Sequence, residues 1–192
     1  MRILHITKID FSKVSGPSKS TIELCTSLNQ DDSLKITQLN FYRNSPSITL
    51  EYDFFSYKSI LDLFRLLRSH DLIVFHSHYI IEFVFVSLVL ILMDKHYVIV
   101  PRGALSKEGQ RIKPLKKKLG NLIFNPYVRR AVAVQYLTPA EKRTSFISVD
   151  KSVIIPNGIG LQGNISKINN EKFQITYIGR LDIWHKGLDV LL

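Results

Sequence analysis

The sequence predicts a doubly wound α/β domain, a parallel sheet with helices on both faces. Three observations carry that prediction. The apolar runs are short and barely alternate with polar residues, as in strands buried on both faces. Helical patterns separate them in repeated β–α order. Loops bearing glycine or proline follow the strands, where open parallel sheets bind their ligands. A chain of 192 residues suits one large domain, or one domain and part of another.

Residues 2–7 (RILHIT) read as the first strand. A loop with Ser15-Gly16-Pro17-Ser18 follows, then a helix over about 18–28, Pro17 suiting a first helical position. Residues 34–41 form the second strand. Ile60, Phe64 and Leu67 recur at i, i+4, i+7 and mark an amphipathic helix ending before Asp71. Residues 72–75 are a fully apolar strand running into His76-Ser77-His78. In residues 79–93, 13 of 15 positions are apolar, too few for a span of about 20, so a helix buried between sheet and neighbouring helices is expected. Strands at 97–100, 132–137 and 153–155 complete the sheet, and Thr138-Pro139-Ala140-Glu141 has the form of a capping box.

The polar stretch 166–172 (SKINNEK) breaks the composition. A fresh strand at 173–178 and a helix starting near Gly187 follow it, the first β–α step of a second domain. The expected division is therefore 1–165 and 166–192.

Composition bounds the function. With 45% apolar and 22% charged residues the chain is globular, neither disordered nor collagen-like. Cys25 is the single cysteine, which excludes a disulfide framework or a cysteine zinc site and fits a reducing compartment. The start MRILHITKIDFS lacks the charged and long apolar regions of a secretory signal. Net charge is +10, and residues 102–130 hold nine basic residues and one acid, a net +8. That segment, with Lys113, Lys116, Lys117 and Lys118 at its centre, is either a solvated helix face or a face for an anionic membrane or acceptor. It lacks the interleaved aromatics of a nucleic-acid platform, so no nucleic-acid partner is expected.

Five strand-end loops are chemically suggestive. Gly16 sits before a helix N-terminus, open to an anion or a sugar hydroxyl. The loop is not G-x-G-x-x-G. Nor is it a P-loop, because Ser18 and Lys13 stand where glycines are required. His76 and His78, at alternate positions, would face one cleft and contact substrate; no carboxylate or cysteine cluster joins them, so no metal is expected. Arg102 in PRGAL would meet an anionic group or pin its loop. The IPNGI turn at 155–159 reads as structural. Arg180 and Lys186 flank a Gly turn before a helix and would cradle a diphosphate.

The order and spacing of the Gly loop, VFHSH, VPRGAL, YLTPAE, VIIPNGI and YIGRLDIWHKGLDVLL resemble the group 1 (family 4) retaining glycosyltransferases of the GT-B fold, in their bacterial polysaccharide and lipopolysaccharide branch. The resemblance implies a Rossmann-like acceptor-side domain over 1–165 and the start of a donor-binding domain over 166–192. It implies transfer of a sugar from a UDP- or GDP-linked donor to a glycan or lipid-linked acceptor, with retention and without a metal or other cofactor. Gly16 matches the loop glycine near donor phosphate and acceptor, and His78 the histidine contacting the donor sugar. Arg180 and Lys186 match the pair that neutralises the leaving diphosphate, where charge builds in the transition state. Two departures stand out: Ser15 replaces the first glycine of the family's pair, and no E-x7-E segment occurs. The expectation is therefore an N-terminal portion with little activity alone, working in the cytoplasm or at the inner face of the membrane. The alternative is a non-catalytic domain docking on an anionic membrane or partner protein through residues 102–130.

Overall fold

The computed structural model describes residues 1–13, 16–111 and 114–158. The expected step into a second domain, and with it Arg180 and Lys186, lies outside these residues, as does Lys113. The element order is β1 (Arg2–Thr7), α1 (Gly16–Asn29), β2 (Lys35–Asn40), β3 (Asp53–Ser56), α2 (Ile60–Ser69), β4 (Leu72–His76), α3 (Ile81–Leu92), β5 (Tyr97–Val100), α4 (Lys107–Arg111), α5 (Pro114–Arg129), β6 (Ala133–Tyr136), α6 (Pro139–Arg143) and β7 (Ser152–Ile154).

The seven strands form one sheet in the order β3-β2-β1-β4-β5-β6-β7, and every pairing is parallel. This is the doubly wound, Rossmann-like α/β architecture expected. Strand order reverses between β1 and β4, whose register runs from Ile3 opposite Leu72 to Ile6 opposite Phe75. The carboxyl ends of these two strands bound the switch-point crevice, the ligand position of open α/β sheets.

The sheet divides two unlike interiors. On one face Leu4, Ile6, Ile73, Phe75 and Ile99 pack against Leu63 and Leu67 of α2, Phe83, Val86 and Leu90 of α3, and Phe124 and Val128 of α5. Right-handed crossovers running from β3 towards β6 place these three helices on the same side. On the other face Ile3, Ile36, Val74 and Val100 meet Cys25 of α1 in a smaller apolar cluster. Beside it His5, Thr7, Gln38, Asn40 and His76 are all buried.

Three local expectations are corrected. First, β3 was not anticipated: it is a short edge strand with only partly buried alternate residues, and DFFS carries no alternation long enough to read. Second, α3 is not enclosed all round: Phe83, Val86 and Leu90 are buried, whereas Phe85 is 63% and Leu92 87% exposed. Its uniform hydrophobicity hides an outward stripe. Third, the capping box is half formed. Thr138 Oγ1 accepts the N–H of Glu141 at 3.0 Å, but the Glu141 carboxylate turns away to Gly103 and Leu137.

Candidate functional site at the strand ends

The β1–α1 loop begins where β1 runs out, and the buried polar face of the sheet anchors it. Tyr52 donates to Gln38 Oε1 at 2.8 Å, and Gln38 Nε2 donates to Thr7 Oγ1 at 3.0 Å. Thr7 Oγ1 donates onward to Asn40 Oδ1 at 3.2 Å. Asn40 then holds the backbone of Ile9 from both sides, accepting its N–H and donating to its carbonyl, each at 2.9 Å. Asn44 continues the clamp, accepting from Phe11 N–H at 3.3 Å and donating to Asp10 at 2.7 Å. Side-chain amides here do the work of a missing strand partner. Across the crevice Lys8 pairs with Glu82 of α3 at 2.6 Å, tying the β1 loop to the β4 side.

Gly16 opens α1 and is exposed, and a Cβ built on it would meet nothing within 4 Å. Local packing therefore gives no reason for glycine there, and the space a side chain would take is open.

His76 and His78 do not share a cleft. Strand β4 ends at His76, and Ser77 has φ +133°, donating its N–H to Val100 O at 3.0 Å. This unusual backbone breaks the alternation that would have pointed both rings one way. His76 turns into the polar layer, with Nε2 2.8 Å from His5 Nδ1. His78 turns to the other side and is fully buried against Tyr79, Phe124 and Tyr127, with neither ring nitrogen bonded. Burial, aided by the Lys117 ammonium, pushes its pKa down to about 3, so the imidazole is neutral.

Arg102 pins its loop. Pro101–Ala104 form a turn closed by Ala104 N–H to Pro101 O at 3.1 Å, with φ +52° at Arg102 and +82° at Gly103, the pattern of a type I′ turn. That geometry sends the guanidinium inward. It donates to Ser20 Oγ at 2.7 Å and Thr21 Oγ1 at 2.9 Å on α1, and to His76 Nδ1 at 3.2 Å. Gly103 N–H in turn donates to Glu141 at 2.5 Å, while the second oxygen of Glu141 accepts from Leu137 N–H at 2.8 Å. Glu141 thus joins the loops after β5 and β6. Gly109 of α4 packs so tightly under this loop that a Cβ would lie 2.7 Å from Gly103 O.

Of the four basic-face lysines, Lys116 and Lys118 are exposed. Lys117 is withdrawn: its ammonium donates to Gly109 O and stands 5.1 Å from the centre of the Tyr79 ring. Tyr79 is itself held by Gln110 and Asn121.

Asn40, Asn44 and Gly109 carried no readable motif, because each acts through contacts distant in sequence; Glu141 was read only as half of a capping box, and its bond to Gly103, 38 positions away, was not. The structure brings Gly16 and Arg102 to the same crevice and leaves His78, Lys116, Lys117 and Lys118 on the side of the sheet that α5 covers. A concavity of about 340 Å³ lies apart from both, at the β3 edge, lined by Phe55, Tyr57, Lys58 and Arg65 among others.

No protein-family model and no curated protein matches the chain. Solved structures do. HepE of Anabaena, in complex with UDP, is 14% identical with a TM-score of 0.56, over 83% of this chain and 44% of that one. WaaB, described as a lipopolysaccharide outer core galactosyltransferase and solved in its apo form, is 14% identical with a TM-score of 0.52, over 84% and 47%. MnaA of S. aureus, solved with UDP, is 13% identical with a TM-score of 0.52, over 80% and 44%. The chain spans less than half the length of each. At these identities the likeness is one of fold.

Proposed function

We propose that the chain is the acceptor-side portion of a nucleotide-sugar glycosyltransferase of the retaining GT-B type. Its donor is a UDP- or GDP-sugar and its acceptor a bacterial polysaccharide, lipopolysaccharide or lipid-linked glycan. The observation that carries this reading is the open Gly16 at the switch point, set on a loop that Asn40 clamps and facing no side chain of its own. Shared fold with two proteins solved with UDP supports it.

In this reading the exposed Gly16 at the start of α1 lets phosphate oxygens or an acceptor hydroxyl approach the backbone. Arg102 acts through others: it fixes the first turn of α1 and orients His76, so it is a positioning residue. His78 contacts the donor sugar once Tyr79 and Phe124 give way. Arg180 and Lys186 neutralise the leaving diphosphate, which needs no metal. Because no E-x7-E segment is present, the 192 residues transfer little or no sugar alone.

Titration of the isotope-labelled chain with UDP and GDP tests the reading by NMR. Expected are amide shifts at Gly16 and its neighbours for a nucleoside diphosphate, with none for the nucleoside. No response to either diphosphate overturns it.

A further inference from the structure

The concavity at the β3 edge has the size and chemistry of a sugar subsite, and the crevice at Gly16 makes no use of it. Its volume of about 340 Å³ falls at the small end of ligand pockets. Leu39 and Leu63, both buried, line its inner side. Tyr57 lines it too and is held in place by Phe41, the two rings stacked with centres 4.9 Å apart. Phe55 completes the apolar lining yet remains 47% exposed. A large ring left open on an edge strand calls for something to cover it.

The charged groups of the lining are largely uncommitted. Lys58 is exposed and, among the described residues, has no hydrogen-bond or ion-pair partner. Arg65 reaches Asp62 with one nitrogen at 3.5 Å, and both side chains are exposed, so that pair contributes little and leaves the guanidinium open to a second anion. Asp62 accepts from Ser59 Oγ at 2.7 Å through its other oxygen. Two cations against one carboxylate leave the hollow net positive. This set matches a sugar ring that bears an anionic substituent. The C–H side of the ring lies on Phe55, a ring hydroxyl donates to Asp62, and a carboxylate or phosphate sits between Lys58 and Arg65.

Position gives the hollow its role. Ser56 ends β3 and Tyr57 to Ser59 follow it, so the hollow opens at the carboxyl end of the sheet, as the crevice does. The order β3-β2-β1 sets it two strand spacings from β1, about 10 Å, or roughly two linked sugar rings.

We propose that this hollow holds an anionic sugar unit of the acceptor glycan, about two units behind the one that receives the transferred sugar. That role rests on the sugar-transfer reading and adds to it a selection for charge away from the reacting end.

NMR titration of the isotope-labelled whole chain tests this with glucuronate, glucose 6-phosphate, glucose and inorganic phosphate. Both anionic sugars should shift amides within residues 55–66 and leave Gly16 unmoved, whereas glucose and inorganic phosphate should bind at least about tenfold more weakly. The tighter of the two anionic sugars identifies the charged group. A linear trimer of hexuronate should bind at least about tenfold tighter than glucuronate and move Gly16 as well. Lys58→Gln/Arg65→Gln and, separately, Phe55→Thr should each lower affinity for the anionic sugars about tenfold, with an unchanged circular dichroism spectrum. Equal binding of glucose or inorganic phosphate, full binding by either variant, or a trimer that leaves Gly16 unmoved overturns the proposal. So does a UDP response at Phe55 and Lys58, which would make the occupant a nucleotide. Should a variant unfold, the ligand series on the unaltered chain still decides. The two readings fail separately, because the nucleoside diphosphate reports at Gly16 and the anionic sugar at Phe55, Lys58 and Arg65.

Discussion

Arg102 Nη2 lies 3.2 Å from His76 Nδ1, and that contact fixes the protons of a second histidine. A guanidinium only donates, so His76 Nδ1 accepts and its proton sits on Nε2. His76 Nε2–H then donates to His5 Nδ1 across 2.8 Å, leaving the His5 proton on Nε2, which is buried with no partner. Both rings are neutral. Burial first, then neighbouring positive charge, holds the pKa of His5 near 4 and that of His76 well below its ordinary value.

Acid should unfold the chain earlier than its carboxylates alone would. The unfolded imidazoles take up protons near pH 6.5, whereas native His5 resists to about 4 and His78 to about 3. Below pH 6.5 the unfolded state therefore binds more protons, and stability falls as pH falls, by about 1.4 kcal/mol per pH unit for each such histidine. Urea unfolding at pH 7.5, 6 and 5 measures this, and a flat profile contradicts it. Arg102→Met removes a charge that depresses both His5 and His76, so its acid loss should be shallower although it starts from a lower stability.

His78→Phe separates structure from chemistry at one position. Replacing a fully buried, unbonded imidazole with an apolar ring among three aromatics should raise stability at pH 7 by about 1–3 kcal/mol. It should also remove one histidine's share of the acid slope. A loss of stability would mean that His78 has a partner in solution. In an enzyme completed by its donor-binding domain, the same change should abolish transfer.

Glu141→Gln should cost about 1–3 kcal/mol, because one of two backbone N–H groups then faces an amide donor in place of a carboxylate oxygen. Faster amide exchange at Gly103 and Leu137 would identify the cause. Unchanged exchange at both would refute the bracing role.

Two glycines should respond in opposite ways to alanine. Gly109→Ala gains helix propensity but sets a Cβ against Gly103 O, so a net loss of about 1–3 kcal/mol is expected. Gly16→Ala, with open space before it, should keep stability within about 0.5 kcal/mol while weakening the amide response to UDP or GDP. Thermal melts and the NMR titration read the two effects separately.

The fold was legible because its central strands, RILHIT and LIVFH, are buried on both faces, which sets apolar residues at adjacent positions where a half-exposed strand would alternate. The edge strand DFFS has one solvated side and too few residues to register a period. At the site, Gly16 and the PRG turn could be read because each follows a strand directly, where open parallel sheets place their ligands. The direction of His78 could not, since it depends on one φ angle at Ser77. The role of Asn40 likewise rests on its reach to Ile9, 31 positions away. The outward stripe of α3 was hidden because a sequence apolar all round does not say which face the sheet takes.

The contrast between the two sides of the sheet bears on how the native chain opens. Helix α1 buries only Ser18, Thr21 and Cys25, resting partly on the small apolar cluster around Cys25 and partly on hydroxyls, amides and imidazoles, whereas α3 seats Phe83, Val86 and Leu90 in the larger apolar core. Little hydrophobic free energy holds α1 down, and water can replace much of what it touches. Sub-global unfolding should therefore peel α1 away while β1, β4 and α3 stay folded, giving its amides much lower hydrogen-exchange protection than those of α3. The segment that frames the crevice is then also the segment of the domain most readily remodelled when a substrate arrives.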